Sequence, residues 1–189
     1  MYFAKGPAPA YELRDREAGP QASPTREQPS LVTTHRYPLE AQEPRKFAGG
    51  TIRLVTVEQF PISTTMAGAI LELEPGAIRE MHWHPNADEW QYYLSGTARM
   101  TVFMAQGHAE TVEFGVGDVG YAPQGSGHYI ENIGNDVCRV LITFNSGYYQ
   151  EISLSDWLAS NPTQLLATNF EISESLAERF PQEERFIVS

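Results

Sequence analysis

Positive charge is scarce in this chain. Thirteen Lys and Arg stand against 24 Asp and Glu, for a net charge of −11 and an isoelectric point near 4.8. A nucleic-acid binder presents a basic face and a protein held on anionic lipid presents basic clusters, so this balance argues against both. Cysteine is nearly absent: Cys138 stands alone, so no internal disulfide can form, and a small buried strand residue is expected there. No apolar run approaches the roughly 18–20 residues of a membrane helix. Met1 to Pro20 lacks the apolar stretch of a secretory signal, so a cytoplasmic location is the expectation. No internal repeat is evident.

What is present suits one globular domain with extensions. The 189 residues are 41% apolar and 20% charged, with nine Tyr, nine Phe and three Trp, a composition that fits a β-rich core. Residues 1–46 are rich in Pro, Gly, Glu, Arg, Gln and Ser, and read as an extended arm. From Phe47 the texture changes to short β-rich runs broken by Gly and Pro. Strands are expected over Thr51–Val57, Met66–Leu73, Asp88–Leu94, Thr97–Met104, Thr111–Phe114, Val119–Ala122, His128–Ile133 and Val137–Phe144. Short strands at this spacing point to an all-β sandwich or small barrel over residues 47–150. Residues 151–189 read as a helical segment. Ser153 with Asp156 forms a capping pair before Trp157 and Leu158, Pro162 is placed to open a second helix at its first position, and Ser173–Phe180 suggests a third.

The chemistry concentrates in four residues. Two of the five histidines form His82-Trp83-His84. Residues two apart on a strand share a face, so both imidazoles can enter one cavity. Glu89 follows a Pro85-Asn86 turn, and His128 lies on a distant strand beside Gly125 and Gly127. Three imidazoles with one carboxylate suit Mn, Fe, Ni or Zn better than Ca or Mg. Four protein ligands leave an octahedral ion two positions for a substrate, water or dioxygen. His108, in a Gln-Gly-His turn, and His35, in the arm, are expected to be solvated.

The spacing resembles the cupin superfamily. Gly76, five residues, His82-x-His84, four residues, Glu89, six residues and Gly96 match its first motif; Gly117, five residues, Pro123-x-Gly125, two residues, His128, three residues and Asn132 match its second. The resemblance implies a double-stranded β-helix (jelly-roll) barrel, and an oligomer such as a dimer or a trimer of dimers. The stretches REMHWHPNADEWQYYLSGTARMTVF and GDVGYAPQGSGHYIENIG, with FAGGTIRLV, FPIST and SLSDWLAS, look like the two-cupin oxalate decarboxylases from about Phe47 to about Phe170. With one pair of motifs, the chain looks like a single-cupin relative.

That likeness implies manganese (iron being acceptable to the same ligands), dioxygen as co-catalyst or co-substrate, and oxalate as substrate. Arg79 matches the family arginine that holds the substrate, a role suited to a guanidinium fork. Simple alternation, however, puts Arg79 on the face opposite His82, so a bend near Pro75-Gly76 is expected to re-aim it. The family's acid is a Glu on a Ser-Glu-Asn-Ser-Thr lid. This chain lacks that string, but Glu151 falls at the position of the lid Glu on a loop three residues shorter before Leu154, and Ile142 stands where the family's other cupin carries its Glu. Protonating the carbon left after carbon dioxide departs gives formate; oxidising it gives a second carbon dioxide and hydrogen peroxide. Glu151 therefore favours a decarboxylase, while Ile142 and the short loop keep an oxalate oxidase open. A non-catalytic metal-binding cupin is the third alternative, against which the complete ligand set argues.

Overall fold

The computed structural model describes residues 34–189. Most of the arm expected over residues 1–46 lies outside the described residues; its end carries a single 3-10 turn, Leu39–Ala41, and part of the first strand. In chain order the strands are β1 (Arg45–Phe47), β2 (Gly50–Val55), β3 (Ala67–Leu73), β4 (Ile78–Trp83), β5 (Glu89–Ser95), β6 (Ala98–Phe103), β7 (Ala109–Phe114), β8 (Val119–Ala122), β9 (Gly127–Asn132), β10 (Cys138–Phe144), β11 (Ile152–Ser153) and β12 (Ile187–Val188). They form two antiparallel sheets, β1-β2-β3-β10-β5-β8 and β11-β4-β9-β6-β7, with β12 also on β4. This is the expected all-β jelly roll.

Period-two patterning builds the sheets. In β10, Cys138, Val140, Ile142 and Phe144 are buried while Arg139, Leu141 and Thr143 lie at the half-buried outer face. These side chains meet Leu71 and Leu73 of β3, Tyr93 of β5 and, from the other sheet, Ala98, Met100 and Ile130 in one core. Burial pushes the Cys138 thiol up to about 11, as befits an inert core residue. His35 and His108 are exposed, as expected.

The motif glycine and asparagine have structural reasons. Gly96 turns the chain between β5 and β6 at φ +78°, and a Cβ there would lie 2.7 Å from the Cα of Cys138. Asn132, 1% exposed, donates from Nδ2 to the carbonyls of Leu73 (2.8 Å) and Asp136 (2.9 Å) and accepts from the Gly134 N–H (2.9 Å). Its amide ties three chain segments together. Asn132→Ala leaves these groups unmet and is expected to destabilise the fold by about 1–3 kcal/mol, read as a lower urea midpoint with metal content unchanged.

The segment expected to be helical carries three helices, α1 (Leu154–Ala159), α2 (Thr163–Phe170) and α3 (Glu174–Ala177), but also the two short strands β11 and β12. Ser153 caps α1, its Oγ accepting from the Asp156 N–H at 3.2 Å, and Ser173 caps α3. Pro162 is the residue before α2, with extended ψ of 137°, and not its first helical residue as expected. Both short strands pair with β4: β11 opposite Trp83 and His82, β12 opposite Arg79 and Ile78. They cover an edge of β4 that would otherwise be open. Among the described residues no helix is long and apolar enough to cross a membrane.

Candidate metal centre

Polar residues occupy inward positions at one end of the sheets. His82 lies on β4, His84 just after it, Glu89 opens β5 and His128 lies on β9. All four are buried, and their ligand atoms lie within 4.8 Å of one another. Each imidazole is oriented by a backbone carbonyl that accepts from Nδ1–H: Glu80 for His82 (2.7 Å), Gln150 for His84 (2.8 Å) and Ser126 for His128 (3.0 Å). In this tautomer each neutral ring presents its Nε2 lone pair to the cluster. The Glu89 Oε2 lies 2.8 Å from His84 Nε2 and 3.3 Å from His128 Nε2. Lone pairs converging on a carboxylate oxygen repel one another unless a positive charge sits among them, so the donor set fits a cation.

The protonation preferences of His82 and Glu89 agree. Burial holds His82 well below the usual imidazole range, and the Arg79 charge adds to this. Burial works against the Glu89 carboxylate, yet His128 and His84 keep it well below the usual range. Burial also opposes a charge on His128, but Glu89 and the Ser126 carbonyl raise it. The other Glu89 oxygen accepts from Gln91 Nε2 at 2.7 Å, and Gln91 Oε1 accepts from the Tyr93 hydroxyl at 2.6 Å.

Local clamps fix the ligand loop. The Gly125 N–H donates to the His84 carbonyl (2.9 Å) and the Gln124 N–H to Asp88 Oδ1 (2.8 Å). The Asp88 N–H donates to Asn145 Oδ1 (2.8 Å). The Pro123-x-Gly125 turn of the second motif thus holds the loop of the first.

Arg79 is on the same face as His82, and the reason differs from the expected bend at Pro75-Gly76. Arg79 pairs with Ile130 and His82 with His128, so three steps along β4 match two along β9. The extra residue is a β-bulge between Arg79 and His82, which resets the alternation. Arg79 is 3% exposed. It donates from Nη1 to the Phe186 carbonyl (3.1 Å) and from Nη2 to the Tyr149 hydroxyl (3.1 Å) and to Glu151 Oε2, and its guanidinium lies 3.6 Å from the centre of the Phe186 ring. Burial opposes its charge, while Tyr149 and Glu151 sustain it. The Tyr149 hydroxyl donates to the same Glu151 oxygen at 2.6 Å; burial, reinforced by Glu151, holds this phenol well above its ordinary range despite Arg79. Its ring lies 5.4 Å from that of His84. Glu151 therefore reaches the arginine beside the four ligands. Ile142 is buried in the core.

Four contributors escape a reading by motif: Gln91, Tyr149, Glu80 and Phe186. Glu80 is buried, and its carboxylate accepts from the backbone N–H groups of Ser155 (3.2 Å), Arg185 (3.3 Å) and Phe186 (2.7 Å) and from the Ser155 hydroxyl (2.9 Å). It anchors the chain end that walls in Arg79. Phe186 adopts a left-handed φ of 58°, rare for an aromatic residue, and stacks on Phe47 at 4.9 Å. Only Gln91 carried a signal, as a polar residue at an inward position two after Glu89.

Comparison with known proteins agrees with this geometry. The family model described as Cupin matches residues 39–178. Oxalate decarboxylase of Bacillus subtilis is 42% identical over 152 residues, covering 80% of this chain and 40% of that protein. An oxalate decarboxylase of Arthroderma benhamiae is 40% identical over 141 residues, 74% of this chain and 33% of its own. The solved structure of the Bacillus subtilis enzyme at pH 4.6 superposes with a TM-score of 0.78 at 42% identity, covering 81% of this chain and 40% of that one. Another structure of that enzyme addresses its Mn(II) centres. The chain thus spans about two fifths or less of the length of these decarboxylases. With both motifs folded into one four-ligand cluster and the family model matched across most of its length, the chain belongs to the cupin family.

Proposed function

We propose that this chain is a manganese-dependent oxalate decarboxylase that converts oxalate to formate and carbon dioxide with dioxygen as co-catalyst. The observation that carries the reading is the joining of Arg79, Tyr149 and Glu151 in one hydrogen-bonded group beside the four buried ligand atoms. A cation-binding end, a carboxylate-binding fork and a carboxyl acid are the three functions this reaction needs.

His82, His84, Glu89 and His128 would hold the metal, which when bound supplies Lewis acidity and one-electron redox chemistry. Arg79 binds the substrate by a carboxylate, a pairing that a guanidinium makes in a fixed plane. To accept it, Arg79 gives up its contact with Glu151. A carboxylate that loses its cationic partner and faces a dianion binds a proton more readily. Glu151 then donates that proton to the carbon from which carbon dioxide has left. Tyr149, protonated throughout, steadies the Glu151 oxygen and covers His84. Phe186 and Phe47 exclude water from the other face of Arg79.

The presence of Glu151 at Arg79 weighs against the oxidase alternative, since a placed acid favours formate. The full ligand set weighs against a non-catalytic role. Exposed Met81, Phe103 and Trp157 side chains on the outer surface suit an assembly of identical chains.

The test is a product balance on manganese-loaded protein given oxalate under air in mildly acidic buffer. Formate without peroxide is the expected result; peroxide without formate would make the protein an oxidase. Glu151→Gln is expected to lower formate production about 10²-fold or more at unchanged manganese content. An unchanged product ratio would remove Glu151 from the reaction.

A further inference from the structure

The turn between two metal ligands also grips the loop that carries the acid. That loop runs from the end of β10 to β11, and three successive residues of it serve the site. The Tyr149 hydroxyl donates to Glu151 (2.6 Å), the Gln150 carbonyl accepts from His84 Nδ1 (2.8 Å), and Glu151 accepts from Arg79. Their placement depends on how the stem of the loop is held. On one side Gly147 lies against Ser63 and Thr64: its carbonyl accepts from the Val57 N–H (2.9 Å), and a Cβ on it would collide with the Thr64 carbonyl oxygen. On the other side stands Asn86, between His84 and Glu89 in the chain. It donates from Nδ2 to the Tyr148 carbonyl (2.8 Å) and to Ser146 Oγ (3.2 Å). Asp88 of the same turn accepts from Asn145 Nδ2 (2.6 Å) at the root of the loop.

Asn86 does more for geometry than for stability. A carbonyl oxygen only accepts, so the amide nitrogen must be the atom that faces Tyr148. The other atom of that amide, Oδ1, is buried and meets no donor among the described residues. An unmet buried acceptor costs stability and offsets what the two donated hydrogen bonds contribute. The geometric effect has no such offset, because Nδ2 fixes the peptide that leads into Tyr149. Without it the loop stays tethered at Gly147 and Asn145, while Tyr149, Gln150 and Glu151 gain freedom.

We propose that Asn86 is a positioning residue that sets the balance between formate and peroxide by holding Glu151 in place. This rests on the reading of Glu151 as the donor to carbon. With Glu151 placed, oxalate dianion and one proton give formate and carbon dioxide. With Glu151 displaced, oxalate is oxidised and dioxygen reduced: oxalate dianion, dioxygen and two protons give two carbon dioxide and hydrogen peroxide. Asn86 touches no reacting atom; it acts through the Tyr148 peptide. The same peptide steers the Gln150 carbonyl onto His84, so acid placement and metal retention move together.

The experiment compares the manganese-loaded full chain with Asn86→Ala and Asn86→Asp. The second variant keeps the shape of the side chain but turns an acceptor toward the Tyr148 carbonyl. In both, the ratio of formate to peroxide should fall roughly tenfold or more, with peroxide gained as formate is lost. KM for oxalate should stay unchanged, because the Phe186 carbonyl holds Arg79 from the other side. Independently of turnover, manganese affinity measured by titration against a chelator should fall about tenfold, as His84 loses its orienting carbonyl. A wild-type product ratio in both variants, alongside an altered ratio in Glu151→Gln, would overturn the positioning role and leave the Glu151 reading standing. Formate lost with no gain in peroxide would also overturn it, reducing Asn86 to a brace. Wild-type manganese affinity in both variants would overturn the link to His84. A wild-type product ratio in Glu151→Gln would overturn the parent reading itself.

Discussion

Glu89→Ala and His82→Ala are each expected to abolish manganese binding and formate production together. Glu89 is the only carboxylate in the four-residue cluster, and its loss removes the charge that offsets a divalent cation. It also strips His84 and His128 of the oxygen at 2.8 and 3.3 Å and leaves the Gln91 amide with the Met100 sulfur alone as acceptor. His82 contributes differently: its Nε2 is aimed by the Glu80 carbonyl at the bulge, so alanine opens one coordination position and leaves the others in place. Losing even an orienting partner typically costs about 10–100-fold in metal affinity, and removing a ligand outright exceeds that. Elemental analysis should find both variants nearly free of manganese, with far-ultraviolet circular dichroism unchanged because the apolar core that includes Ile130 and Tyr93 is intact. Wild-type activity in either metal-free variant would sink the assignment.

Arg79→Ala is expected to damage stability and turnover at once. The substitution strands Glu151 beside Tyr149, removes the donor to the Phe186 carbonyl and empties the space against the Phe186 ring. Breaking a buried ion pair from one side costs about 3–5 kcal/mol, which for a chain of this size lowers the melting temperature by roughly 10 °C. Arg79→Met with Glu151→Gln should recover part of that stability, because no carboxylate is then left unpaired. Activity should not return in the double variant. A melting temperature equal to wild type in Arg79→Ala would mean that the guanidinium is not held as described.

The ligand set was legible because its determinants are local. His82 and His84 share a face through strand alternation, Glu89 follows after one turn, and motif spacing carries His128 and Asn132 into place. Arg79 shows the boundary of such reading. Its identity was marked by resemblance, but its direction depends on a bulge that exists only when β4 pairs with β9, roughly fifty residues away in sequence. Glu80 gave no sign of its role because its partners, Ser155, Arg185 and Phe186, lie 75 to 106 residues away. Tyr149 looked like one aromatic residue in an aromatic-rich loop. Pro162 was misplaced by one residue because proline suits both the position before a helix and its first turn. The strand candidates omitted Ile78–Trp83 as a range, although His82 within it was read as a strand residue; Arg79 and Glu80, both buried, break the alternation that marks a strand.

The pairing of Ile187 with Arg79 spans more than a hundred residues, and such long loops are the slowest to close during folding. All four candidate ligands precede residue 129, so a chain still emerging from the ribosome can gather them before Glu80 has anything to grip. The wall around Arg79 must wait for Phe186 and Ile187. Synthesis therefore separates two events: the four-residue cluster can gather first, and the wall around Arg79 closes only when β12 docks on β4. A chain clipped before Arg185 is expected to keep the four-residue cluster but to leave Arg79 without the Phe186 carbonyl and the strand that wall it in.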